Sequence, residues 1–148
     1  MDVPAVIRDF VEAASNADGD GAARLVTEDA VFRLSGDREL PPGQAGARAF
    51  AAKHGESDGR KASVVLLGAE PVSSDRWVAS LRFSSREVAS GEVLYEMTVG
   101  GVITLDGDRI SGVRAFPSYE EAVAAARGAG DKLSPRASTT PPPSRPAT

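Results

Sequence analysis

Near the start of the chain Val3, Ile7, Phe10 and Ala14 recur at helical spacing and Val6 widens the stripe, which predicts an amphipathic helix entered through Asp2 and Pro4. The run NADGDG ends it. Asp20 is placed to cap a short second helix reaching Leu25 and Val26, and the acidic pair Glu28 and Asp29 then leads into a strand, AVFRL. After the loop GDRELPPG, Ala47, Phe50, Ala51 and His54 share one helical face, with Gly55 where a left-handed cap belongs.

Beyond Gly55 the period changes from helical to alternating. The runs ASVVLLGAEPV, RWVASLRFSSREV, EVLYEMTVGGVITL and DRISGVRAF are separated by Ser74-Asp75, Ser90-Gly91 and Asp106-Gly107, which read as hairpin turns. In the third run Tyr95, Met97, Val99, Ile103 and Leu105 fall on one side, and Glu96, Thr98 and Thr104 on the other. The same parity turns Trp77, Ala79, Leu81 and Phe83 inward and leaves Arg82 and Arg86 outside, beside Glu96. Gly112 invites a bulge, so Arg114 has two readings, an anion anchor in the interior or a surface side chain. Ser118 and Glu121 form a capping box for a last short helix that Gly128 closes.

From residue 129 to 148 the chain turns proline-rich and loses all periodicity, which predicts a disordered tail behind a single domain over 1–128. Its PPPSRP run is either a polyproline ligand or a solvated extension. With 17 basic and 21 acidic residues spread along the chain and a net charge of −4, no cationic face for nucleic acid is implied. There are no cysteines, which excludes disulfides and thiolate chemistry. No basic leader or membrane-length apolar stretch is present, so no membrane partner is expected and the cytoplasm is the expected location.

Metal and cofactor sites are not expected either. DGDG is no calcium loop, because Ala22 and Ala23 stand where an oxygen ligand and a turn glycine would be needed. One histidine without a carboxylate cluster cannot assemble a zinc site, and GVITLDGDRI lies within a hairpin rather than before a helix, so it cradles no phosphate.

Two phrases carry a family resemblance. VIRDFVEAASNADGDGAARLVTEDAVFRL resembles the opening of SnoaL-like and ketosteroid-isomerase-like proteins, and ITLDGDRISGVRAFPSYEEAVAAARG resembles the way many of them end. The likeness spans about residues 4 to 128. It implies an α+β fold of the nuclear transport factor 2-like superfamily: a cone-shaped roll, in which a curved antiparallel sheet wraps three N-terminal helices and a short C-terminal helix follows. It also implies a conical apolar pocket and a homodimer through the outer sheet face.

The superfamily's activities do not transfer as a block. Where the steroid isomerases place a tyrosine, a basic aspartate and a late acid, the resemblance sets Phe10, Leu34 and Gly101, none of which can give or take a proton. Nor do the inward faces hold the Asp–Arg–Asp set of limonene-type epoxide hydrolases. His54 is therefore the one candidate acid or base, set against a plain role bonding helix carbonyls, and Tyr95 is the candidate hydrogen-bond donor. The expected pocket residues are Phe10, Phe32, Leu34, Phe50, His54, Trp77, Tyr95, Met97 and Val99. Three functions fit: binding of a small apolar molecule, proton transfer on a carbonyl substrate by a SnoaL-like isomerase, cyclase or dehydratase with His54 as base, and a homodimeric interaction module with a filled core.

Overall fold

The computed structural model describes residues 2–34 and 38–132. Helix α1, Ala5–Ser15, buries Ile7, Phe10, Val11 and Ala14, the stripe its spacing predicts. Ala17 then takes a left-handed φ of +58° and ends the helix abruptly. Helix α2, Gly19–Ala23, starts two residues earlier than expected, since Asp18 is the cap and accepts a hydrogen bond from the Gly21 N–H at 2.9 Å. Asp20, expected as that cap, lies in the first turn and binds Arg48 instead, at 3.0 Å.

Strand β1, Val26–Leu34, and the two-residue β2, Arg38–Glu39, precede helix α3, Gln44–Ala51. Four more runs of sheet are β3, Gly55–Ser57; β4, Arg60–Pro71; β5, Arg76–Glu87; and β6, Val93–Asp106. Strand β7, Arg109–Phe116, and helix α4, Tyr119–Lys132, complete the order. The four long runs are the strands expected from alternation; β2 and β3 are too short to leave a periodic trace.

All seven strands form one strongly curled sheet in the order β2-β1-β7-β6-β5-β4-β3. It is mixed rather than wholly antiparallel, because β1 runs parallel to β7, with Phe32 opposite Val113. A long crossover makes this geometry available: the chain leaves β1, builds α3 and the hairpins, and returns on the far side. The inner face meets α1, α2 and α3 around a core that includes Phe10, Phe32, Phe50, Trp77 and Ile103. Across the centre of that face Ala69, Ala79 and Gly101 stand opposite one another on three strands. Small side chains there let the helices approach a curled sheet.

The outer face carries a second, smaller core in which α4 lays Ala122 and Ala126 over Val78 and Val102. Gly100 makes this possible, since a Cβ at that position would meet the Ala122 Cβ at 2.8 Å. Half of the expected capping box forms, with Glu121 N donating to Ser118 Oγ at 3.2 Å, while the Glu121 carboxylate accepts from the Ser118 hydroxyl at 3.1 Å rather than from its amide. Gly128 does not close the helix, however. The helix runs on to Lys132 and takes in the first residues assigned by composition to the tail, and Arg76 donates to the Ala126 carbonyl at 2.7 Å. The proline-rich run after Lys132, with PPPSRP, lies outside the described residues.

Arg114 is settled by register. It stands opposite Val102, an outer-face residue, and its guanidinium lies 4.8 Å from the centre of the Phe116 ring. The expected bulge is present between Thr104 and Leu105. No helix among the described residues is long and apolar enough to cross a membrane.

Candidate functional site

The three helices cover only part of the inner face. On β6, Val99 and Ile103 are buried, whereas Tyr95 and Met97, on the same side of the strand, are 50% and 43% exposed. The sheet therefore extends past the helices, and a half-open cavity of about 270 Å³ fills the angle between them. Its size lies just under the roughly 300–1,000 Å³ of pockets that hold drug-sized ligands. Leu34, Phe50 and His54 form one wall, and Phe83, Met97 and Val99 the other.

Six of the nine residues expected in a pocket come together here: Leu34, Phe50, His54, Tyr95, Met97 and Val99. Phe10, Phe32 and Trp77 do not line it. Phe10 is stacked between Phe32, at 6.2 Å, and Phe50, at 5.7 Å, so Phe10 and Phe32 lie in the buried core behind the Phe50 ring. Trp77 is buried opposite Ile103, far along β5 from the Phe83 end that borders the cavity. Spacing could show that these side chains point inward; it could not show how far along the inner face the helices reach.

His54 is held from both sides. The helix proper ends at Ala51, but the Lys53 and His54 amides donate back to Phe50 and Ala51 carbonyls at 3.2 and 3.1 Å, extending the coil by one tight turn. That turn returns the imidazole to 5.3 Å from the Phe50 ring, edge to face, and to 5.8 Å from Phe83, stacked. Gly55, at φ +92°, then swings the chain into β3, close against Ala17. The Nδ1 atom is buried and has no hydrogen-bond partner. Removal from water holds the imidazole below its usual 6.5, and the charge of Lys53 adds to this; the Phe50 and Ala51 carbonyls oppose it in part. Burial therefore favours the uncharged imidazole.

The remaining polar groups are modest. Tyr95 Oη donates to Met97 Sδ at 2.7 Å, a weak acceptor that a ligand oxygen could displace. Ser84 and Ser85 supply hydroxyl-bearing residues on the β5 wall, and Arg38 and Lys53 stand at the mouth. Sequence reasoning passed over these. Phe83 and Ser85 were within reach, since they lie opposite Met97 and Tyr95 in the sheet, but Arg38 and Lys53 arrive from the two-residue strand β2 and from the turn after α3, which carry no periodic signal. Leu34 borders the cavity and Gly101 lies on its floor strand, yet neither offers a proton-transfer group. Among the described residues no group of three metal-ligating side chains occurs.

This curled sheet, with three helices in its hollow, is shared by many solved structures. The chain has the nuclear transport factor 2-like fold. A ketosteroid isomerase-like protein from Catenulispora acidiphila, solved with trimethylamine, matches at a TM-score of 0.63 and 12% identity, over 86% of this chain and 95% of that one. A candidate polyketide cyclase from Sinorhizobium meliloti matches at 0.59 and 22%, over 78% and 96%. The Δ5-3-ketosteroid isomerase of a Mycobacterium matches at 0.58 and 16%, over 80% and 93%. At these identities the likeness is one of nuclear transport factor 2-like architecture. No protein-family model matches the sequence, and no curated protein matches it.

Proposed function

We propose that the chain binds a small, mainly apolar molecule in the half-open cavity. The observation that carries this reading is the exposure of Tyr95 and Met97 on the face that is otherwise core: large apolar side chains are left wet beside a concave, aromatic-lined space. Protein isolated from its own host and examined by native mass spectrometry should retain a small-molecule adduct. The Ala115→Phe variant, which fills the cavity from β7, should lose it while keeping its circular dichroism. An adduct of equal abundance on both proteins would place the ligand elsewhere.

A second reading has its own support, the imidazole of His54 on the cavity wall, held toward its uncharged form by burial. A neutral imidazole facing an apolar cavity is a base suited to removing a proton next to a carbonyl. Deuterium exchange into an apolar ketone would reveal it, and His54→Gln should then slow exchange by roughly 10²–10⁴-fold. Exchange no faster than in buffer removes the enzymatic reading and leaves binding intact. For assembly, the proposal is a homodimer through the outer face of β4 and β5, where Val65 is exposed beside Arg82. Light scattering should give twice the 15.3 kDa chain mass, and a monomer at micromolar concentration would exclude it.

A further inference from the structure

Among the described residues, the charges that line the cavity are of one sign. Arg38, at the start of β2, and Lys53, in the turn after α3, both line it and both are exposed. No aspartate or glutamate does so among the described residues. The chain as a whole is acidic, at −4, so a mouth whose described charges are both cationic runs against its average composition. Two other arginines are paired, Arg33 with Glu39 at 2.9 Å and Arg48 with Asp20 at 3.0 Å; Arg38 and Lys53, like most basic side chains of the described residues, form no ion pair with a described residue. Behind them the cavity is aromatic and aliphatic, through Phe50, Phe83 and Val99.

Taking the binding reading above as its basis, we infer that the ligand is an apolar carboxylate, with its hydrocarbon part against Phe50, Phe83 and Val99 and its charged end at the mouth beside Arg38 and Lys53. A carboxylate placed beside two exposed cations is attracted to both, and neither cation has to leave water. An amine would be repelled, and a neutral molecule would gain nothing from them. The preference is modest because exposed ion pairs are screened.

Octanoate, octanol and octylamine, titrated by calorimetry against the full chain at low ionic strength, test this. Octanol is the stricter competitor, since a neutral hydroxyl costs less to remove from water than a carboxylate. Octanoate should nevertheless bind at least about threefold more tightly, the scale of exposed charge pairs. The ratio of the two dissociation constants should move toward one in added salt and in the Arg38→Gln, Lys53→Gln double variant. His54 provides an independent readout. It is the sole histidine, so its imidazole resonances are unambiguous, and an anion beside Lys53 offsets that residue's share of a lowering due first to burial. Its titration midpoint should be higher with octanoate bound than with octanol bound. Octanol binding as tightly as octanoate, or a preference for octylamine, overturns the carboxylate and leaves the cavity reading standing. If none of the three binds, both fall.

Discussion

At the scale of single residues, His54 is the group whose behaviour follows most directly from its surroundings. Its imidazole is held below 6.5, so as pH falls through that value the unfolded chain takes up a proton before the folded one does. Stability from this group is therefore full above about 6.5 and lost on the acid side. The thermal midpoint of the parent protein should drop more steeply between about pH 7 and about pH 5 than that of His54→Leu. Parallel curves would mean that the imidazole is solvated in the folded state. The helical spacing with Ala47, Phe50 and Ala51 already set His54 against the interior. Its missing hydrogen-bond partner was not legible, because that depends on what β5 places opposite it. Phe83 stacks on the ring and offers no acceptor.

At the scale of elements, close approach matters more than pattern. Gly46 lies in α3 where a Cβ would come within 2.6 Å of the Phe32 ring and would also meet the Pro41 carbonyl. Alanine there gains about 0.5–1 kcal/mol in helix propensity. Forcing a methyl group into a packed contact with backbone on one side costs about 1–3 kcal/mol. The steric term wins, and Gly46→Ala should lower the denaturation midpoint; an unchanged or raised midpoint would show that α3 shifts freely over β1. The long strands and the cap of α4 were readable from alternation and from Ser118 with Glu121. What alternation could not show were the register shifts between Leu66 and Gly68 and between Ser85 and Arg86. Each adds one residue to one strand without altering composition, and the first leaves Leu67 outside the periodic frame and exposed.

For the whole molecule, the order of helices and hairpins was enough to point to the architecture, since each break is marked by glycine, aspartate or proline. Nothing local marked β1 and β7 as neighbours, or their parallel sense, because that pairing is decided by how far the sheet curls. The cavity was half legible for the same reason. Inward-facing residues can be counted along each strand, but the edge between core and opening is set where α1 and α3 stop. That is why Tyr95 and Met97 ended up wet and Phe10, Phe32 and Trp77 dry.

The parallel pairing of β1 with β7 also bears on how the chain reaches its fold. Beyond the two residues of β2, β1 has no sheet neighbour except β7. During synthesis the helices and β1 therefore emerge well before the strand that completes them, and the β4–β5–β6 hairpins are free to form first. A nascent chain halted after β6 should hold an ordered meander beside an exposed, unpaired β1, open to proteolysis and to capture by chaperones. Release of β7 should convert both halves to the protected state in one step, so the last strand acts as the latch of the molecule.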